Sequence, residues 1–316
     1  MSNRSENAAA SPVKLRLGTR QSPLAVAQAE ETRRRLCAAH GWHEGAVELV
    51  KVRASGDKIQ DRPLADIGGK ALWTRELDIW LAEGKIDAAV HSMKDVETLR
   101  PASLTIAAIL PRADVRDVLI GAASVRAIPP GAVIGTSAPR RAAQMLHHRS
   151  DCKIVSFRGN VATRLAKLAA GEAEVTLLAA AGLSRLGETG TGTPLAAEEW
   201  LPAPAQGAIG IECNTADTHM RDLIAPINHA DSYATVMAER ALLEALGGTC
   251  HSPIAVLCAQ EGGKIHMTAS VFSSDGAERV DGQARFDAGD LDAPRAMGAD
   301  LLARASERVR ALFSAA

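Results

Sequence analysis

The chain has 316 residues, 47% apolar and 23% charged, with a formal net charge of −1. That is longer than one ordinary domain of about 100–150 residues, and the composition is that of a folded chain, not a disordered one. The near-neutral charge and 3% aromatic content argue against general attraction to nucleic acid or membrane and against a base-stacking platform.

Residues 1–12 read as a polar tail without the apolar run of a secretory signal. Val13–Thr19 alternates as a strand. Pro23 opens a helix that Gly41 ends. Ala46–Arg53 is a second strand. Ala54–Gly69 is long, polar and glycine-bearing, and reads as a mobile loop. A helix over Thr74–Glu83 and a buried strand over Ile86–His91 follow, and that strand runs into HSMKD. Leu104–Leu110 is the next strand.

Near Pro111 the character changes. From Arg112 to Arg185 eleven basic residues stand against five acidic ones, a local excess in a neutral chain. Strands at Val118–Gly121, Val133–Thr136, Lys153–Phe157 and Val175–Ala180 alternate with helices near Arg140–Arg149, Val161–Ala170 and Ala181–Leu186. Such alternation predicts a mostly parallel sheet wrapped by helices. Ala208–Cys213 reads as an apolar strand returning to the first sheet. The last unit begins near Asp231 with a helix over Ala234–Leu246 and the turn GGTCHSP. Three strands follow at Ile254–Ala259, Lys264–Val271 and Arg279–Phe286, and one helix closes the chain over Ala293–Phe313. The predicted class is α/β in three domains: 13–110 with 206–228, then 111–205, then a small α+β domain over 229–316. No run approaches the ~20 apolar residues of a membrane span.

Several polar groups recur where strands give way to helices. Arg20 and Ser22 follow the first strand. Thr136, Ser137, Arg140 and Arg141 follow another, Arg158, Gly159 and Arg164 a third, and Arg185 a fourth. In an open α/β sheet ligands bind at this carboxyl edge, where helix N-termini and guanidinium groups favour anions with planar groups. The plainer reading is a set of solvated arginines and ordinary helix caps, and it suits any one of them better than the whole set. In HSMKD, Asp95 is a candidate general acid or base, with Lys94 to tune it or hold an anion; the alternative is a polar turn. The five cysteines are odd in number and lack CxxC spacing, so neither a disulfide framework nor a zinc site is expected, and no metal is predicted. Cys37, Cys152, Cys213 and Cys258 read as core or incidental thiols. Cys250 stands in a glycine turn beside His251, which could favour its thiolate. Phosphate-binding, dinucleotide, zinc-protease and serine-hydrolase motifs are absent.

Taken in order, the runs GTRQSPLAVAQA, GDKIQDRPLADIGGKALWTREL, DAAVHSMKDV, IGTSAPRRAAQ, SFRGNVATRL, LLAAAGLSRLG, PAQGAIGIEC, AERALLEALGG and TCHSPIA resemble the porphobilinogen deaminase (hydroxymethylbilane synthase) family. The likeness spans about Val13 to Val256; the stretch beyond Ala259 is only weakly diagnostic. It implies two α/β domains like those of periplasmic binding proteins, with a cleft between them, and a small third domain. It implies a dipyrromethane cofactor joined to Cys250 through a thioether. Asp95 would assist loss of ammonia from porphobilinogen, giving an azafulvene, and steady positive charge on the pyrrole nitrogens. Four additions and a hydrolysis would release hydroxymethylbilane. The resemblance assigns Lys94, Asp95, Thr136, Ser137, Arg140, Arg141, Arg158 and Gly159 to the cofactor. It assigns Arg20, Ser22, Arg158, Arg164, Arg185, Trp73 and Lys70 to substrate, with Asp57 also in the loop. Trp73 stands where many members have Phe, Pro139 where an aliphatic residue is commoner, and Asp66 where some have Lys. The implied partner is porphobilinogen, for a monomer in the cytoplasm with neither nucleic acid nor membrane. The competing reading is a non-enzymatic protein that binds a small carboxylate and would use neither Cys250 nor Asp95.

Overall fold

The computed structural model describes residues 13–52, 74–249 and 251–313. The first sheet takes β1 (Leu15–Arg20), β2 (Val47–Val52), β3 (Ala88–Ser92), β4 (Leu104–Ile109) and β10 (Ile209–Asn214), in the order β2-β1-β3-β10-β4. β1, β2 and β3 are parallel, and β10 runs antiparallel between β3 and β4. β1 and β3 lie inside the sheet, so Leu15, Leu17, Ala88 and Val90 are buried. Helix α1 (Pro23–His40) covers this sheet through Ala29, Leu36 and Cys37. It ends as its sequence requires, with Gly41 in the left-handed region at φ +63°. Helix α2 (Arg75–Ala82) buries Leu77 and Leu81.

The second sheet contains β5 (Asp117–Ile120), β6 (Val133–Gly135), β7 (Lys153–Val155), β8 (Val175–Ala179) and β9 (Thr193–Pro194), in the order β7-β6-β8-β5-β9. It is more mixed than the alternation of elements predicts. β7, β6 and β8 are parallel, but β5 runs antiparallel to both β8 and β9. The reason is topological: β5 enters from the first sheet, not from a strand–helix crossover. Helices α3 (Pro139–His148), α4 (Val161–Ala169) and α5 (Ala180–Arg185) each follow a parallel strand. The chain passes between the sheets twice, between β4 and β5 and between β9 and β10.

Helix α6 (Thr218–Ile224), absent from the sequence expectation, is one short element whose N-cap Asp217 accepts from the Met220 N–H at 2.9 Å. Helix α7 (Ala230–Ala245) leads to an antiparallel sheet of β11 (Ile254–Glu261), β12 (Lys264–Phe272) and β13 (Arg279–Asp287). The single closing helix expected from the sequence is two: α8 (Asp292–Arg304) and α9 (Glu307–Arg310). Ser306 causes the break, because its hydroxyl accepts from the Val309 N–H and restarts the helix. α7, α8 and the three-stranded sheet enclose a core built on Leu242, Val256, Met267, Phe286 and Leu301.

Candidate active site

In both five-stranded sheets parallel strands end in or run straight into polar residues, β1 and β3 in the first and β6 and β7 in the second. β1 ends at Arg20, and the Ser22 hydroxyl caps α1 by accepting from the Ala25 N–H. β3 runs directly into the 3-10 turn Met93–Asp95. That turn is pinned on two sides. Met93 fills the space that a side chain at Gly210 would need, and its N–H donates to Ala208 O at 3.1 Å. Val96 is buried with Ile106, Ala205 and Val236. Lys94 and Asp95, held between these anchors, are half-buried. Arg20, Gln28, Thr74, Ser92 and Asp95 share one small cleft. Gln28, only 3% exposed, meets the Ser92 hydroxyl through both its amide nitrogen and its carbonyl oxygen, at 2.8 and 3.0 Å.

On the second sheet, β6 ends in Thr136 and Ser137. Thr136 is buried, with its hydroxyl accepting from the Ala138 N–H, and the Ser137 hydroxyl lies 3.0 Å from that of Ser156. After β7 the chain turns through Arg158 and Gly159. Gly159 has φ +109°, and a Cβ there would run into Thr163, so the turn requires glycine. Asn160 then caps α4, its Oδ1 accepting from the N–H and hydroxyl of Thr163 at 2.9 Å each. Arg164 bends back so that its Nε donates to Gly159 O at 2.9 Å.

Arg140 and Arg141 are placed differently from free anion ligands. Both are 4% exposed and share one buried counter-ion, Asp117, at 2.8 and 2.7 Å. Asp117 also accepts from Trp200 Nε1 and Gln206 Nε2, at 2.9 Å each. Arg140 further donates to Leu201 O and Arg141 to Leu177 O. The Nε of each arginine is buried without a hydrogen-bond partner. Burial alone would push the Asp117 carboxyl upward, but Arg140 and Arg141 hold it well below the usual carboxylate range.

The electrostatics join the two sheets. Burial, then repulsion from Arg141, push Lys94 down to about 8, while Asp95 and Asp117 work against that shift. Arg164 is lowered to about 10 by burial and by Arg141, and Asp95 opposes this too. Lys94 of the first sheet thus lies within electrostatic reach of Arg141 and Asp117 of the second, and Arg164 of the second within reach of Asp95, which brings the two carboxyl edges near each other. Such an edge can hold a polyanion while one carboxylate, Asp95, handles a proton. Arg185 does not stand free at this edge. Its Nε lies 3.6 Å from Glu31 of α1 and its Nη2 donates to Gly207 O, so it ties α5 to the first sheet.

Lys70, Trp73, Asp57, Asp66, Cys250 and the loop over 54–69 lie outside the described residues. The ring of His251 is shifted downward by burial, away from the cationic form that would favour a neighbouring thiolate. Cys37, Cys152 and Cys213 are buried free thiols, Cys258 is half-buried, and burial raises all four. His91 faces inward, with Nε2 3.1 Å from Glu212, whose carboxylate Arg100 also holds at 2.8 Å. It therefore links the cleft that it lines with Ser92 and Asp95 to the buried Glu212–Arg100 pair.

Sequence reasoning missed Asp117, Gln28, Ser156 and Gln206. For Asp117 a signal existed: two consecutive arginines next to apolar strands need a counter-ion if they are to be buried. For Gln28 there was none, because its position on the cleft-facing side of α1 depends on how that helix lies over β3.

Comparison with known proteins comes to the same place. The family model described as "Porphobilinogen deaminase, dipyromethane cofactor binding domain" matches residues 15–222, and "Porphobilinogen deaminase, C-terminal domain" matches 233–307. A porphobilinogen deaminase of Sphingopyxis alaskensis is 53% identical over 306 residues, covering 95% of this chain and 96% of its own. A chloroplastic porphobilinogen deaminase of Oryza sativa subsp. japonica is 48% identical over 269 residues, covering 83% of this chain and 75% of its own. Among solved structures, an arginine-specific periplasmic binding protein of Salmonella typhimurium aligns with TM-score 0.39 and 10% identity, over 68% of this chain and 91% of its own. That likeness is too distant to bear on function.

Proposed function

The chain belongs to the porphobilinogen deaminase family, and on that premise we propose that Asp95 is its acid–base carboxylate, Cys250 its cofactor anchor and the facing arginines its carboxylate holders. The activity is that of a transferase in tetrapyrrole biosynthesis. Four porphobilinogen molecules condense with loss of ammonia onto a bound dipyrromethane primer, and hydroxymethylbilane is released.

The residues suit such a primer. Its acetates and propionates call for planar cations and hydroxyls, and the facing edges offer Lys94, Arg158, Arg164, Thr136 and Ser137. The orphaned, buried Nε of Arg140 and Arg141 add two donors already stripped of water. Dipyrromethane, when bound, supplies the nucleophilic α-carbon of a pyrrole. Arg20, Ser22, Arg158 and Arg164, with Lys70 and Trp73, are assigned to the incoming porphobilinogen, whereas Arg185 is engaged by Glu31 and Gly207 O. Asp95 accepts a hydrogen bond from the substrate's pyrrole N–H and stabilises the positive charge that develops as ammonia leaves. It then takes up the proton lost at the reacting carbon. Lys94, next to Asp95 in the chain, is pushed down to about 8 by burial and by Arg141, and holds an anionic substituent.

One observation carries this reading. Asp95 lies on a turn pinned at both ends, among cations from two sheets. Asp117, the other carboxylate there, is committed to four donors. We also read the protein as a monomer of the cytosol; no helix of the described residues is long and apolar enough to cross a membrane.

Intact mass measurement tests the reading. The purified protein should weigh more than its sequence by two linked pyrroles, and Cys250→Ser should weigh only its sequence. A protein that carries no such increment, and gains none on incubation with porphobilinogen, would overturn it.

A further inference from the structure

Helix α7 carries two adjacent charged residues, Glu239 and Arg240, that reach away from their own domain. Glu239 is fully buried and grips the segments that cross between the sheets. It binds the Arg112 guanidinium at 2.7 and 2.9 Å and accepts the Ala205 N–H at 2.6 Å. Ala205 is the one non-glycine residue with positive φ among the described residues, at +58°. Such a conformation persists only where its surroundings impose it.

Arg240 is 7% exposed. Its guanidinium forms no ion pair among the described residues. It donates instead to three successive backbone carbonyls, Val96 O at 3.3 Å, Glu97 O at 2.7 Å and Thr98 O at 3.0 Å. These are the three residues directly after Asp95. Thr98 in turn donates its hydroxyl to Gly248 O at 2.9 Å, two residues before Cys250. Val96 packs on Val236 of the same helix. On its other side the segment is held by Glu97, whose carboxylate binds Arg100 at 2.7 Å and Thr74 at 2.8 Å. A buried cation costs desolvation. Spending it on one run of carbonyls makes the path of that run rigid.

We propose that Arg240 is a positioning residue for the reaction: by clamping the carbonyls of Val96, Glu97 and Thr98 it fixes where the Asp95 carboxylate stands. The inference rests on the acid–base role given to Asp95. Arg240 touches neither substrate nor cofactor and acts only through the turn.

The test is a double-mutant cycle on the cofactor-loaded protein, with loading checked by mass. Arg240→Met removes the three donors and keeps the length of the side chain. Misplacing a catalytic group by an ångström costs about 100-fold, so kcat should fall by about 10- to 100-fold. KM should stay within about twofold, because uniform binding is untouched. Arg240→Lys, which can reach some of the carbonyls, should fall between. In an Asp95→Ala background Arg240→Met should lower the residual rate by less than about twofold, since there is no carboxylate left to place. Equal losses in both backgrounds would make Arg240 merely structural and overturn the proposal, as would an unchanged kcat in Arg240→Met. Normal turnover in Asp95→Ala alone would instead remove the acid–base reading on which it stands. Should Arg240→Met not fold, Arg240→Lys is read by the same criteria.

Discussion

Replacing Asp117 by Asn tests the electrostatic frame of the site most severely. The carboxylate accepts four donors: Arg140 at 2.8 Å, Arg141 at 2.7 Å, and Trp200 and Gln206 at 2.9 Å each. Asn is nearly isosteric, so no cavity opens, but it offers one carbonyl oxygen and turns an NH2 group toward donors. Two buried guanidinium groups, each 4% exposed, would lose their counter-ion. Breaking a buried pair by removing one partner costs about 3–5 kcal/mol. That is a large share of the ~5–15 kcal/mol that holds a typical protein folded. Urea unfolding of the two purified proteins, followed by circular dichroism, should therefore show a clearly lower midpoint for Asp117→Asn. Adding Arg140→Met should restore part of the loss, because one of the two orphaned charges goes with it. Lys94 should also lose charge at lower pH, since Asp117 is one of the two carboxylates holding its proton. A stability change under ~1 kcal/mol, the size of an exposed ion pair, would refute the claim that Asp117 organises the buried arginines.

Asp95→Asn should keep the fold and midpoint yet lose about 10²–10⁴-fold in kcat, the usual scale for general acid–base help, measured as hydroxymethylbilane formation. Gly159→Ala should cost about 1–3 kcal/mol of stability, read as a lower urea midpoint, because φ +109° and the contact with Thr163 leave no room for a methyl. Glu212 is pushed upward by burial but pulled down more strongly by His91 and Arg100, to about 2. A depressed folded pKa contributes stability above the unfolded value near ~4.3 that is lost as pH falls toward the folded one. Acid unfolding followed between those values should thus be shallower in Glu212→Gln than in the parent, and equal slopes would contradict the assignment. Arg158→Ala should impair cofactor loading, read by intact mass, more than it impairs folding.

Much of the fold could be read along the chain. Pro23 and Gly41 bound α1 because proline suits a first helical turn and glycine the left-handed cap, and both act within a few residues. The β-strands of the small last sheet were visible as three strand-like runs. Local signals failed where a boundary depends on one side-chain hydrogen bond, as at Asp217 and Ser306, or where strand direction depends on where the chain has come from, as with β5. The site divides in the same way. The recurrence of Arg20, Thr136, Ser137, Arg158 and Arg164 after strands marks the edge, because strand-to-helix turns place them there. HSMKD is conspicuous because four polar groups close an apolar strand.

By itself, then, the order of residues determined the family, the activity that goes with it and the polar groups after several strands, since motif and period are properties of neighbours in the chain. Only the tertiary structure decided that Arg140 and Arg141 lean on Asp117, that Arg185 turns to Glu31, and that Arg240 holds the turn beyond Asp95 from 144 residues away. Those partners are distant in sequence. A buried charge finds its counter-charge or carbonyl through the packing of whole sheets and helices, which no local pattern encodes.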